Sequence, residues 1–261
     1  MAYFRFVPPY ETIDILGLEY ARLTAEQALS EAERLYEQEA PAWIAVENVH
    51  GVNLACADDE HQKLLNRADL LLNDGKGVML AARLKGSRFR EDLNGNHFGF
   101  LLLRRAARRG WPVFFLGAGP GVAARAAEKL MDDIPGLKVT GVRDGYFKPE
   151  DLPEIKDQIA ASGGGLLLVG MGNPLQERWL DEHMASTGAR LGLTVGAFFD
   201  FQAGELPRAP RWMNKLGLEW VHRLMTEPKR MWRRYLIGNP LFIWRVLRAR
   251  YGERSVARGP R

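Results

Sequence analysis

Short apolar segments alternate with amphipathic helical patterns along most of this chain, and this alternation restricts the fold more than any other feature. Parallel strands need a crossover connection, which is usually a helix. We therefore predict an α/β fold, a Rossmann-like parallel sheet flanked by helices, with a basic helical appendage at the C-terminus. A helix is predicted to start after Thr24, because Gln27 completes a capping box. The predicted strands are residues 42–46, 69–72, 112–116, 138–142, 165–169 and 191–195.

A change in charge divides the chain near residue 207. Residues 208–261 contain 14 Lys and Arg against three acidic residues, a net charge of +11, whereas residues 1–207 carry −7. Four of the seven tryptophans lie in the same basic part. Basic and aromatic residues together favour an anionic lipid surface. We predict a catalytic domain at 1–205, a basic, Trp-rich C-terminal appendage at 206–250 that meets the membrane and completes the active site, and a flexible tail at 251–261.

Several kinds of site and segment are not expected. The single cysteine, Cys56, excludes a disulfide framework and a Cys-based zinc cluster. No segment reaches the roughly 18 apolar residues that span a bilayer, and the first ten residues do not have the pattern of a signal peptide. The histidines show no metal-binding spacing, and no Asp-x-Asp follows a predicted strand. We expect no metal, no cofactor and only peripheral membrane contact.

The residues that follow each predicted strand are the candidates for a ligand site, because open parallel sheets bind ligands outside the carboxyl ends of their strands. Gly117 and Gly119 open a glycine loop between a strand and a helix, where backbone N–H groups can hold phosphate. The loop departs from the dinucleotide fingerprint at Val122. Nucleotide contact and a plain turn are equally good interpretations.

Two further strand ends carry polar side chains. Asn173 is predicted to cap a helix that has Pro174 at its first position and Gln176 at its third, and Gln176 also suits a pyrimidine edge. Asp74 fits either an Asp-Gly turn or a general base at the mouth of a cleft. Tyr146 fits either a packed position or a stacking platform for a base.

Three arginines of the appendage fall on one predicted helical face. Arg230, Arg233 and Arg234 are spaced at i, i+3 and i+4, and Glu227-Pro228 marks the start of their helix. The guanidinium fork suits phosphate oxygens. We prefer lipid or diphosphate contact, and a solvated basic face or an RNA contact is the alternative.

At these residues the chain resembles the WecG/TagA/CpsF family of bacterial glycosyltransferases, from about residue 15 to residue 247. These enzymes transfer a sugar from a UDP-sugar to a polyprenyl-diphosphate-linked saccharide. The most specific matches are GNPLQERW at 172–179, VGAFFDF at 195–201 and RAPRW at 208–212, with further matches up to residue 235.

The resemblance implies a role for each candidate. Asp74 would be the catalytic base, and Asn48 would help to place the reacting sugar or acceptor. The donor would be bound by Gly117, Gly119, Tyr146, Asn173, Gln176 and Asp200. Arg223, Arg230 and Arg233 would reach the diphosphate of donor or lipid. The reaction would be inverting and independent of metal, at the cytoplasmic face of the bacterial inner membrane, in exopolysaccharide or cell-wall polymer synthesis.

Two departures bear on specificity. Val46 stands where the family often has Thr, and Gly95-Asn96-His97 replaces a usual Gly-x-Asp. The donor sugar is therefore left open between a glucose and an N-acetylmannosamine type.

Other functions remain as alternatives. They are an NAD(P)-dependent oxidoreductase, which Val122 disfavours, and a non-enzymatic module that binds membrane or RNA. Under the leading hypothesis the partners are the UDP-sugar, the polyprenyl-diphosphate acceptor and an anionic membrane surface, without nucleic acid. A homo-oligomer is compatible with the sequence.

Overall fold

The computed structural model describes residues 10–210, 212–213 and 217–257, with the backbone alone from residue 251 onward. Arg211 of the RAPRW match and the last four residues of the expected tail lie outside this part. The strands are β1 (Thr12–Ile15), β2 (Leu18–Ala21), β3 (Ala42–Glu47), β4 (Leu70–Asn73), β5 (Pro112–Gly117), β6 (Lys138–Arg143), β7 (Leu166–Gly170) and β8 (Leu191–Thr194).

Six of these strands form one parallel sheet in the order β4-β3-β8-β7-β5-β6. The predicted α/β fold is confirmed, and each predicted strand is present to within one residue at either end. The predicted capping box is also confirmed: the Gln27 backbone N–H donates to Thr24 Oγ1 at 3.3 Å, and the Thr24 N–H donates to Gln27 Oε1 at 3.0 Å.

Helices connect the strands and extend to the C-terminal part of the chain. They are α1 (Ala25–Glu37), α2 (Val49–Ala55), α3 (Asp59–Leu65), α4 (Gly75–Leu84), α5 (Gly95–Arg109), α6 (Val122–Asp133), α7 (Leu152–Ala161), α8 (Leu175–His183), α9 (Phe198–Ala203), α10 (Glu219–Thr226), α11 (Pro228–Trp232) and α12 (Gly238–Ala257). Short 3₁₀ turns cover Pro149–Asp151 and Met184–Ser186, and a π-helical turn, Arg233–Ile237, joins α11 to α12.

The sheet is buried on both faces, because successive side chains of a strand point to opposite sides. In β3, Ile44 and Val46 join a core that includes residues of α1, α5, α6 and α9. Trp43 and Ala45 join a second core that includes residues of α2, α3, α4, α7, α8 and α12. Helix α12 contributes Phe242, 1% exposed, and Val246, 0% exposed, to this second core.

An antiparallel hairpin of β1 and β2 precedes the sheet and was not predicted. Its two-residue turn is Leu16-Gly17, with φ angles of 56° and 87°. Tight hairpin turns of this kind usually carry Asn or Gly at the first position. Because position 16 is leucine, the sequence does not indicate a hairpin turn here.

Substitutions at Gly117 and Gly119 test which glycine is required for the backbone conformation and packing at the end of β5. Gly117 has φ of 142°, and an added Cβ would stand 2.3 Å from the carbonyl oxygen of Gly170. At Gly119 the nearest atom to an added Cβ is 3.6 Å away. Gly117→Ala should therefore lower the free energy of unfolding by about 2–4 kcal/mol, and Gly119→Ala by less than about 1 kcal/mol. Urea unfolding followed by circular dichroism measures both, and equal effects would contradict the account.

Candidate active site

A cavity of about 370 Å³ lies at the carboxyl ends of β3, β4, β7 and β8, and residues of α10, α11 and the π-helical turn complete its wall. Its volume is in the range of small-molecule sites. The structure brings together there seven of the residues selected from the sequence: Asn48, Asp74, Asn173, Gln176, Arg223, Arg230 and Arg233.

A chain of hydrogen bonds joins the appendage to Asp74. Arg234 Nη2 donates to Asn48 Oδ1 at 3.0 Å, and Asn48 Nδ2 donates to Asp74 Oδ2 at 3.2 Å. Asn48 Oδ1 also accepts from the His50 backbone N–H at 2.9 Å, at the start of α2. The Asn48 carboxamide is thereby held in one orientation. Arg234 was placed on the basic helical face from the sequence but was not selected as a site residue. Its i+4 spacing from Arg230 was the signal that could have identified it.

The carboxylate of Asp74 is available for chemistry. Asp74 precedes α4 in the N-cap position but makes no capping hydrogen bond with its side chain. Gly75 has φ of 85°, and its N–H is held by Asp92 Oδ1 at 2.9 Å. A turn residue whose side chain has no role in the turn suits a ligand contact.

Burial raises the pKa of Asp74 to about 6, with Asp92 and Glu219 adding to the rise, while Asn48 and Arg234 oppose it. Burial lowers the pKa of His50 to about 4, and Arg234 adds to that effect. Near neutral pH the cavity therefore holds an ionised Asp74 and a neutral His50. Asp74 is poised to exchange a proton close to physiological pH.

Arginines line the side of the cavity that the C-terminal part of the chain provides. Arg223 and Arg230 share Glu227, at 3.5 Å and 2.9 Å. Their side chains are 17% and 62% exposed. The guanidinium of Arg233 lies over the ring of Trp232, 5.2 Å from its centroid. Together with Arg234 these side chains place four guanidinium groups along this wall, beside Glu219. Their planar donor forks suit phosphate oxygens.

The prediction that Asn173 caps α8 is wrong. Pro174 occupies the N-cap position, without a side-chain hydrogen bond. Asn173 Nδ2 instead lies 2.8 Å from each carboxyl oxygen of Glu47 and 3.1 Å from Glu177 Oε1. These contacts hold the Asn173 carboxamide against the two buried carboxyls, so its position is set by residues distant in sequence and not by the first turn of α8.

Gln176 also takes part in this network. Its Nε2 donates to Glu177 Oε1 at 2.6 Å, and its Oε1 accepts from the N–H groups of Gly172, at 3.3 Å, and Gly196, at 3.0 Å. The side chain therefore ties together the loops that follow β7 and β8.

Glu47 and Glu177 were not selected from the sequence, and both are 0% exposed. Burial raises the pKa of Glu47 well above its usual value, and the nearby Glu177 adds to the rise. Burial also raises the pKa of Glu177, to about 7. Glu47 ends a buried strand and adjoins Asn48, and Glu177 adjoins Gln176. An acid at the end of a fully apolar strand is a signal that could have identified the first of them.

Four selected residues do not line this cavity. Gly117 is the last residue of β5, Gly119 follows that strand, and Tyr146 follows β6, the edge strand. Each strand adds about 4.8 Å of distance across the sheet. Tyr146 is 80% exposed. The Gly117 loop does reach the neighbourhood of the cavity, because the Ala118 N–H donates to the Gly170 carbonyl at 2.8 Å. Asp200 is half-buried in α9. The roles assigned to all four stay predictions.

The start of α5 forms part of the wall. Gly95-Asn96-His97 was connected with specificity from the sequence, but none of these three was selected as a site residue. Asn94, Gly95 and Asn96 line the cavity. The side chain of Asn94 caps α5 by accepting from the His97 N–H at 3.0 Å. Asn96 Oδ1 is buried and has no hydrogen-bond donor among the described residues. It is placed to accept a hydrogen bond from a ligand.

The C-terminal part of the chain has an apolar outer surface. Its large, exposed apolar side chains are Trp212, Trp220, Met225, Trp232, Leu236, Ile237, Leu241 and Trp244.

Two other kinds of feature are absent from the described ranges. No helix there is both long and apolar enough to cross a membrane. No three His, Cys, Asp or Glu side chains there form a group that could hold a metal ion.

Comparison with known proteins gives the family. The model of the glycosyl transferase WecG/TagA/CpsF family matches residues 13–256. The N-acetylglucosaminyldiphosphoundecaprenol N-acetyl-beta-D-mannosaminyltransferase of Bacillus spizizenii is 31% identical over 91% of each chain. The protein of the same name from Bacillus subtilis strain 168 is 27% identical over 94% of each chain. The match of the family model to nearly the whole chain, cavity residues included, shows that the chain is a glycosyltransferase and belongs to the WecG/TagA/CpsF family.

Proposed function

We propose that this glycosyltransferase moves N-acetylmannosamine from its UDP derivative to a polyprenyl-diphosphate-linked N-acetylglucosamine, with inversion at the anomeric carbon. The observation that carries the proposal is the carboxylate of Asp74 in a cavity that Arg223, Arg230, Arg233 and Arg234 also line. The carboxylate suits the removal of a proton from a hydroxyl. The guanidinium groups suit the departure of a diphosphate.

Asp74 is the general base in this proposal. It accepts the proton of the acceptor hydroxyl as that oxygen attacks the anomeric carbon, and the bond from that carbon to the UDP oxygen breaks. Asn48 holds the carboxylate from one side. A single displacement from the face opposite the leaving group inverts the configuration.

The arginines stabilise the negative charge that develops on the leaving UDP. Arg223, Arg230 and Arg233 supply donors in a fork that matches phosphate oxygens. These cations do what a divalent metal does in other transferases, so we propose that no metal is required. Asn173 and Gln176, which follow β7, contact the nucleotide half of the donor.

The names of the two relatives favour N-acetylmannosamine over glucose as the transferred sugar. Asn96 Oδ1, which lacks a donor, can accept from a sugar hydroxyl or from an acetamido N–H. Val46 uses its backbone N–H to bond Thr194 Oγ1 at 2.9 Å. The hydroxyl of Thr194, on β8, therefore lies beside Val46, the position where the family often has Thr.

The appendage, residues 206–250, places the enzyme on the lipid in this proposal. Its exposed tryptophans and aliphatic side chains suit the headgroup region, and its cations suit anionic lipids. The acceptor carries its diphosphate at that surface, so the active site meets it at the cytoplasmic face of the inner membrane.

The wild-type protein should transfer N-acetylmannosamine from UDP-N-acetylmannosamine to a polyprenyl-diphosphate N-acetylglucosamine acceptor at least about tenfold faster than glucose from UDP-glucose, because one lost polar contact costs about 1.4 kcal/mol or more. Chromatography of the lipid product measures both rates. An excess of EDTA should leave the rate unchanged. Calorimetric binding of NAD without binding of UDP would contradict the proposal and favour an oxidoreductase.

Asp74→Asn should lower kcat by about 10²–10⁴-fold, because general base catalysis contributes that much. UDP binding should be retained, since the amide preserves the shape of the carboxylate. In the wild type, kcat/KM should fall as the pH drops through about 6, where Asp74 becomes protonated.

Thermal unfolding at pH values above neutrality is the control for Asp74→Asn. The folded-state pKa of Asp74 is raised from 3.8 to about 6, so this carboxyl costs stability once the pH exceeds its unfolded pKa. The variant should unfold at a temperature no lower than the wild type. Full turnover by the variant would rule out Asp74 as the base.

Leu236→Ser with Ile237→Ser should reduce binding to anionic vesicles by at least about tenfold, because each buried side chain contributes about 1.5–3 kcal/mol on leaving water. These residues are 56% and 53% exposed. Met131→Ser, on α6 and 40% exposed, is the matched control. Sedimentation with phosphatidylglycerol vesicles measures the bound fraction, and equal losses in both proteins would contradict the assigned surface. Point changes are preferable to deletion because α12 supplies Phe242 and Val246 to the core.

A further inference from the structure

Two fully buried carboxyl groups lie behind the cavity and have no part in the chemistry described above. Glu47 and Glu177 are each 0% exposed. Burying a carboxylate costs several kcal/mol unless it is paired or hydrogen-bonded. Within the part of the chain that the structure describes, neither forms an ion pair with Lys, Arg or His. The pKa values of both carboxyls are raised despite their hydrogen bonds, so the ionised pair costs stability, which points to a role in the site.

The two carboxyls dictate which way two carboxamides face. Asn173 Nδ2 contacts both oxygens of Glu47 and one of Glu177. Both N–H bonds of this amide are thus directed at the carboxyls, which leaves its Oδ1 as the acceptor for the cavity. With the amide reversed, Oδ1 would face carboxyl oxygens and be repelled.

Gln176 is held in the same way. Its Nε2 is directed at Glu177 Oε1, so its Oε1 faces the N–H groups of Gly172 and Gly196. Reversal of this amide would set an N–H against two N–H donors. The orientation imposed by Glu177 therefore also fixes the spacing of the two glycine loops that border the cavity.

The carboxyl of Glu47 packs closely against α2. A Cβ at Gly51 would stand 1.5 Å from Glu47 Oε2, so the carboxyl lies directly against the α2 backbone. The charged and titratable groups around it are Glu177, Asp74, Arg234 and Tyr20, whose hydroxyl donates to the Glu47 carbonyl at 3.4 Å. Three acids and one arginine make a doubly ionised pair unfavourable, so one carboxyl retains a proton.

We propose that Glu47 and Glu177 share one proton and act as positioning residues, which hold the carboxamides of Asn173 and Gln176 in the orientation that binds the nucleotide half of the donor. The inference rests on the proposed function, because it takes UDP as the ligand. Glu47 is the protonated member, since the amide N–H groups of both Asn173 and Gln176 converge on Glu177 Oε1.

Isosteric and non-polar variants of the full-length protein separate this role from simple packing. Glu47→Gln and Glu177→Gln each keep one carboxyl and one neutral donor, as in the native pair, so UDP affinity measured by calorimetry at pH 8 should stay within about threefold of wild type. Glu47→Met and Glu177→Met fill similar space but release the amides. UDP affinity should fall at least about tenfold, and the KM for the donor should rise more than kcat falls.

The pH dependence of stability tests the shared proton without any ligand. The folded-state pKa of Glu47 is raised above 4.5, so the native carboxyl lowers stability increasingly as the pH rises above that value. Glu47→Gln removes this cost. The difference in unfolding temperature between Glu47→Gln and the wild type should favour the variant and grow from pH 5 to pH 8.

The possible results of these experiments distinguish the inference from the proposed function on which it rests. Met variants that bind UDP as the wild type does, or Gln variants that lose as much affinity as the Met variants, would overturn the inference alone. If the Met variants do not fold, a Glu47→Gln protein less stable than wild type at pH 8 would overturn it. A wild type that does not bind UDP would overturn the proposed function, and the donor role of the pair with it.

Discussion

A parallel sheet that is covered by helices on both faces can present polar side chains only where its strands end. In β3 the alternation of Trp43 and Ala45 with Ile44 and Val46 leaves no position for a reactive group within the strand. The order β4-β3-β8-β7 then brings the ends of sequence-distant strands to one edge. Asn48 meets Asp74 across 26 positions, and Val46 meets Thr194 across 148. The position of the whole site follows from this constraint.

The site has a cost in stability that the two apolar cores offset. Asp74, Glu47 and Glu177 all have pKa values raised by burial, which means that the fold holds each carboxyl in surroundings that oppose its ionisation. Single buried charges of this kind are rare outside functional sites. The cores are extensive enough to carry them, and α12 adds Phe242 and Val246 to one of the two.

The parts of this architecture that could be predicted are those set by local sequence. The apolar runs predicted the strand positions, and the capping box predicted the start of α1. Asp74 was a candidate because of its place after a strand, and Asn48 because of the family resemblance. Asn173 shows the limit. Its neighbours in sequence favour a helix cap, but its amide is drawn to Glu47, 126 positions away. A local sequence pattern cannot predict a contact between residues so far apart in the chain. The first hairpin was missed because Leu16 occupies a left-handed turn position.

Asn48 accepts from Arg234 and donates to Asp74, so one carboxamide joins the C-terminal part of the chain to the titrating group. Arg234 also opposes the rise in the pKa of Asp74. Such a coupling is reciprocal: a displacement of Arg234 changes the proton affinity of Asp74, and protonation of Asp74 changes the free energy that holds Arg234 in place by the same amount. The protonation of Asp74 and the docking of the C-terminal helices against the cavity are therefore thermodynamically coupled.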